Sequence, residues 1–166
     1  MSMNGKLLLW LGCVFMASRQ ASTEDGLDTN LNNKTLQLIP PNFPSNITKL
    51  ILSHNFIAMT EADTATLKNY TELTELFLDN NKITVLPGHI FDNLSKLRNL
   101  SVSHNNISRV EPKAFTALGK LKKLDLSQNS IQSFPPGVFA GLSSLESLSL
   151  QGNSLQSLEK DIFTHL

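Results

Sequence analysis

Two Ser-His-Asn triplets, Ser53-His54-Asn55 and Ser103-His104-Asn105, are the residues of this chain most readily matched to chemistry. A serine beside an imidazole suggests a hydrolase, and a pair of histidines suggests a metal site. A nucleophilic serine, however, needs its histidine oriented by a carboxylate, and Ser103 and His104 are neighbours on a turn with no carboxylate column beside them. The two histidines fall in structural units two turns apart, about 10 Å, whereas groups that share one zinc at about 2 Å must nearly touch. Glu75 and Asp79 stand four residues apart on one extended segment. That is about 13 Å, too far for a glycosidase carboxylate pair. No glycine-rich phosphate loop is present. The residues predict no catalysis, no metal and no cofactor.

Other groups suit modification and recognition. Six Asn-x-Ser/Thr triplets, at Asn33, Asn46, Asn69, Asn93, Asn99 and Asn106, are acceptors for N-linked glycans in a secreted chain. Lys96 and Arg98 are followed 24 residues later by Lys120 and Lys122, with Lys123 beside them. Such a basic group attracts an acidic protein or a sulfated glycan over long range. The formal net charge of zero gives no general attraction to nucleic acid or to an anionic membrane.

A repeat positions these groups. Asn81, Asn105, Asn129 and Asn153 recur every 24 residues inside the frame Leu-x-x-Leu-x-Leu-x-x-Asn-x-Ile, as in Leu73, Leu76, Leu78, Asn81 and Ile83. Copies start at Leu97, Leu121 and Leu145, and one with a spacing of 26 precedes them as Ile47, Leu50, Leu52, Asn55 and Ile57. Period and pattern are those of a leucine-rich repeat solenoid. The leucine stretch alternates as a strand with one buried face must, so Leu76 and Leu78 point inward while Glu75, Phe77 and Asp79 face outward. Each Asn amide carries donors and acceptors for backbone groups that the following turn leaves unpaired, and stacked copies form a ladder. Phe91, Phe115, Phe139 and Phe163, then Leu94, Leu118, Leu142 and Leu166, fill the opposite side. Pro87, Gly88, Pro135, Pro136 and Gly137 keep that side irregular rather than helical. No copy buries its apolar stripe alone, so stability is a nearest-neighbour sum. The predicted fold is α/β: a right-handed solenoid, or horseshoe, with a concave parallel β-sheet and an irregular convex side.

In such a stack equivalent strand positions lie about 4.8 Å apart and form columns. The middle column holds Ile51, Phe77, Ser101, Asp125 and Ser149. Ile51 and Phe77 are expected to be adjacent, exposed and apolar, as a protein-binding hot spot is. Asn33, Asn69 and Asn93 fall in the cap or on convex loops, where a glycan is easily hosted. Asn99 faces the concave surface, where a glycan would block the middle of the sheet, and it is expected to be the least reliably occupied.

The pattern from residue 31 to 166 resembles the typical extracellular leucine-rich repeats of animals, the group of toll-like receptors, platelet glycoproteins, small matrix proteoglycans and serum leucine-rich glycoproteins. The resemblance implies a non-enzymatic recognition module of a receptor or secreted glycoprotein, binding a protein through its concave face and rims. A structural matrix or serum carrier protein of the same fold is the alternative. Members of this group usually close the first edge with a disulfide-bonded cap. Here Leu31 stands about where the last cysteine of that cap would be, and the only cysteine is Cys13. A cap held by packing alone is the expectation.

The ends complete the organisation. Residues 1–21 read as a secretory signal: Lys6 precedes an eleven-residue apolar run, Leu7 to Ala17, and a membrane span needs about 20. Cys13 lies in that run and leaves with it. Residues 22–46 form a polar segment and cap, poorly ordered over 22–35, with a capping strand from Leu36. Residues 47–166 form five repeats. No polar cap follows Leu166, so an N-terminal part of a longer protein is expected, secreted or on the extracellular side of the plasma membrane. The protein-binding candidates are Ile51, Phe77, Lys96, Arg98, Lys122 and Lys123. The expected partner is a protein, then an anionic glycan, with no nucleic acid and no membrane span.

Overall fold

The computed structural model describes residues 27–164 and residue 166. The signal segment 1–21, with Cys13, lies outside the described residues. Within them the elements are β1 Leu27–Asn30, β2 Ile47–Ile51, α1 Glu61–Leu67, β3 Glu75–Phe77, β4 Val85–Leu86, β5 Asn99–Ser101, β6 Arg109–Val110, β7 Lys123–Asp125 and β8 Ser147–Ser149. Six strands form one parallel sheet in the order β1-β2-β3-β5-β7-β8, and β4 pairs with β6 in a second ribbon. One coil of chain thus adds one strand, the architecture of a parallel-sheet solenoid.

Register is fixed by the repeat. Leu50, Leu76, Leu100, Leu124 and Leu148 pair in succession across the sheet, and so do Ile51, Phe77, Ser101, Asp125 and Ser149. Within the stack the leucines at both inward positions are buried, Leu76 and Leu78 among them. In the last described coil Leu148 and Leu150 are only half-buried.

The asparagine ladder forms in full. Asn81 donates through Nδ2 to the carbonyls of Leu78 in its own coil and Leu52 in the preceding one, each at 3.0 Å. Its Oδ1 accepts the Ile57 amide at 3.0 Å. Asn105, Asn129 and Asn153 repeat these bonds one coil further on each time. The residue before each rung is left-handed: φ is 56° at His54, 54° at Asn80, 51° at His104 and 53° at Gln128, and Gly152 takes 69°. Polar residues that tolerate this conformation are therefore enriched there. The histidines of the two triplets are exposed turn residues, and the Ser103 hydroxyl donates to Asp79 at 2.8 Å rather than to an imidazole.

On the convex side Phe91, Phe115, Phe139 and Phe163 stack with ring centroids 6.3, 6.1 and 6.0 Å apart. The first repeat departs from the expected irregular backbone and forms α1. That segment carries no Pro or Gly, and Thr60 and Asp63 make a reciprocal capping box at its start.

The first edge also departs from expectation. The capping strand is β1, within the segment read as poorly ordered, and the stretch from Leu36 forms no strand but bends at Gln37 and Leu38. Thr29 and Leu31 take the inward places, and the Leu31 amide donates to Ile51 at 2.8 Å. Unpaired backbone groups on the edge of β2 need partners whatever the side chains of residues 27–30 are. Nor is the cap held by packing alone. Asn55 Oδ1 accepts the amides of Lys34 and Leu36 at 2.9 and 3.0 Å. Buried Asp63 accepts the Ile39 amide at 2.6 Å. Tyr70 donates to the Pro40 carbonyl at 2.5 Å. Three side chains of repeat one thus tie down a cap without a disulfide.

Candidate recognition surface

The outward residues of the strands line the open face of the sheet in three columns, spaced by the pleat. Lys49, Glu75, Asn99, Lys123 and Ser147 form the first, and the second runs Ile51, Phe77, Ser101, Asp125, Ser149. Ser53, Asp79, Ser103 and Ser127 follow two places on.

Ile51 and Phe77 are register partners, as their spacing predicts. Both are half-buried rather than exposed. The Lys49 ammonium lies 5.8 Å from the Phe77 ring centre and 3.2 Å from Glu75, so its aliphatic stem and charge cover part of the aromatic face.

Asp79 leans from repeat two onto repeat three. Its carboxylate accepts from the hydroxyls of Ser53, Ser101 and Ser103 and from the Ser103 amide. Asp125, in register with Ser101, accepts only the Ser127 amide among the described residues, at 2.9 Å. These groups border a shallow cavity of about 450 Å3, lined by Phe77, Asp79, Asn99, Ser101, Asp125 and Ser149 with Lys123 at its rim. Asp125 belongs to the middle column by its spacing and is not among the six candidates. The signal was there, since the other members of that column are apolar or hydroxylic.

The six sequence candidates do not converge on one patch. Lys123 shares the open face with Ile51 and Phe77, whereas Lys96, Arg98 and Lys122 precede the strands. Lys96 pairs with Glu72 and Lys122 with Glu146, each at 2.5 Å across one coil. The Lys122 hydrogen bond and charge, with a smaller contribution from Lys123, hold the Glu146 carboxyl below the usual range. Lys96 and Lys122 are therefore neutralised by the coil next to each, and Arg98, Lys120 and Lys123 make no ion pair among the described residues.

Asn33, Asn46, Asn69, Asn93 and Asn106 are exposed. The Asn93 amide donates to the Lys68 carbonyl at 3.0 Å. Asn99 is half-buried on β5, between Glu75 and Lys123.

A parallel-sheet solenoid whose coils are joined by an asparagine ladder and whose open face is lined by non-repeating side chains defines a leucine-rich repeat protein. The Leucine rich repeat family profile matches residues 45–107, 71–131, 95–155 and 119–166, and the chain belongs to that family. Human leucine-rich repeat-containing protein 19 is 37% identical over 90 residues, 54% of this chain and 24% of that protein. Human oligodendrocyte-myelin glycoprotein is 42% identical over 65 residues, 39% of this chain and 14% of its own length. The chain thus spans a quarter or less of these relatives. Among solved structures, a TLR13–ssRNA13 complex superposes with a TM-score of 0.59 at 29% identity, covering 88% of this chain and 17% of that one.

Proposed function

We propose that this chain is the ligand-recognition part of an extracellular glycoprotein, binding a protein through the concave face of its repeats. The observation that carries this reading is the Ile51–Phe77 pair, two apolar side chains in register on a face the scaffold does not need. Ladder, phenylalanine stack and inward leucines account for the fold, so the outward columns are free to vary with the ligand. A protein is favoured over a nucleic acid because the formal net charge is zero and the cavity lining carries two carboxylates against one lysine. Lys96, Arg98 and Lys122 flank the face, Lys123 lies on it, and all four tune association rather than anchor it. The signal-like residues 1–21 and the six sequons support passage through the secretory pathway. The named relatives include a myelin glycoprotein, which agrees with that compartment.

The test is expression from the native start in animal cells. Secreted protein carrying glycans at Asn33, Asn46, Asn69, Asn93 or Asn106, mapped with and without glycosidase, supports the compartment. An unglycosylated cytosolic product sinks it. Phe77→Asp is expected to abolish binding of the tagged chain to cells that display its partner, while the charge reversal Lys82→Glu, outside the open face, leaves binding intact.

A further inference from the structure

We propose that the concave cavity receives an arginine side chain of the protein ligand, with Asp125 as its counter-charge and Phe77 as the platform for an apolar neighbour. This rests on the concave face being the recognition surface and specifies what that surface recognises.

Asp125 is half-buried at the cavity and accepts one hydrogen bond, leaving most of its acceptor capacity unused. Three lysines of the surrounding coils are turned to other acids, Lys49 to Glu75, Lys96 to Glu72 and Lys122 to Glu146, while Lys120 lies before the strand. Lys123 lies two residues away on the same strand, about 7 Å along the pleat, and forms no ion pair with Asp125. Asp79, by contrast, already accepts four bonds from serines, three of them on Oδ1, and offers less to a ligand. The lining therefore holds one carboxylate that makes no ion pair among the described residues.

Its neighbours favour a guanidinium over an ammonium. Ser101 and Ser149 flank Asp125 in register on the adjoining strands, about 4.8 Å to either side. A planar fork with five donors can meet a carboxylate and two hydroxyl oxygens at once, which a point-like ammonium does less well. Phe77 lies two strands away in the same column, about 10 Å from Asp125, with Ile51 beyond it. The ligand surface that matches is an arginine with an apolar residue about 10 Å from it.

The test is a solution NMR titration of the isotope-labelled full chain with Nα-acetyl-arginine amide, and separately with the glutamate and leucine analogues. Arginine amide is expected to shift the amides around Asp125, Ser101 and Ser149, and the leucine analogue those around Phe77. Asp125→Asn keeps an oxygen for the Ser127 amide, so the fold stays intact, and it should weaken arginine binding about tenfold. Shifts from the leucine analogue with none from arginine would overturn the arginine proposal while leaving the face as a binding surface. Tighter binding of the glutamate analogue at Lys123 would also overturn it, in favour of an acidic ligand. Silence from all three would remove both the proposal and the reading beneath it.

Discussion

The hydroxyl of Tyr70, on the convex side of repeat one, donates to the Pro40 carbonyl of the cap at 2.5 Å, and both residues are buried. Leu94, Leu118 and Leu142 occupy the same place in later coils, so the tyrosine is specific to the first edge. Tyr70→Phe keeps the tilted packing on Phe43, with ring centres 6.1 Å apart, but leaves the Pro40 carbonyl without its partner. A loss of about 1–3 kcal/mol is expected. It would be read as a lower denaturant midpoint, and an unchanged midpoint would show that the cap rests on Asn55 and Asp63 alone.

The same phenol makes stability depend on alkaline pH. Desolvation by burial pushes Tyr70 up to about 12, against an opposing backbone hydrogen bond at Phe43. The folded chain keeps a proton that the unfolded chain releases at its ordinary value of 10.0. The contribution is therefore complete below pH 10 and is lost as pH rises toward about 12. Tyr70 is the only tyrosine, so phenolate absorbance reports on it alone. The native midpoint should lie well above the midpoint in denaturant, and Tyr70→Phe should flatten the fall in stability across this window relative to wild type.

Asn105 bonds the Leu78, Val102 and Ser103 carbonyls through Nδ2 and accepts the Ile83 amide through Oδ1. Asn105→Ala leaves these buried groups without partners between two coils at once, and is expected to cost about 1–3 kcal/mol. Asn153, half-buried in the last described coil, should cost less on the same change because water can replace part of its bonding. Equal losses at the two rungs, by urea denaturation, would count against burial as the cause.

These cases show where the sequence was legible. Ladder, phenylalanine stack and in–out alternation each come from one local pattern copied at a fixed period, so a single copy predicts the rest. The edge does not repeat. Asp28, Thr29 and Asn30 look like loop residues, yet they form β1 because the open edge of β2 takes whatever chain is beside it. The capping box of Thr60 and Asp63 was visible in the letters but masked by the irregular convex side expected of every coil. The ion pairs Lys96–Glu72 and Lys122–Glu146 join residues 24 apart. The period that defined the repeat could have forecast that the basic group is partly neutralised.

Lys113 takes a left-handed φ of 66°, where Gly137 sits one repeat later at 64°. The lysine carries the steric cost of a Cβ in that conformation, about 1–2 kcal/mol, and glycine returns part of the gain as chain entropy. Lys113→Gly should therefore raise stability by about 0.5–1 kcal/mol. Thermal unfolding of the single variant checks it, and a drop would mean that the lysine stem contributes packing that outweighs the backbone strain.

At Gly141 one coil packs directly on the backbone of the coil before it. A Cβ there would meet the Thr116 carbonyl oxygen at 2.6 Å, the Thr116 Cα at 2.8 Å and the Phe115 carbonyl oxygen at 3.0 Å. All three are backbone atoms of the preceding coil and cannot turn aside as a side chain would. Relief needs the coils to separate, and that would pull apart the Phe115–Phe139 stack now at 6.1 Å. Gly141→Ala is expected to destabilise by about 1–3 kcal/mol through overpacking. Gly119 provides the contrast, since a Cβ there meets only the Gly141 carbonyl oxygen and Ser143 Oγ, both at 3.8 Å. Gly119→Ala should be neutral or gain up to about 1 kcal/mol from the stiffer unfolded chain. Because both changes add the same methyl group, the difference between their denaturant midpoints measures the coil contact itself. If the two variants unfold together, the approach at Gly141 is softer than its geometry implies.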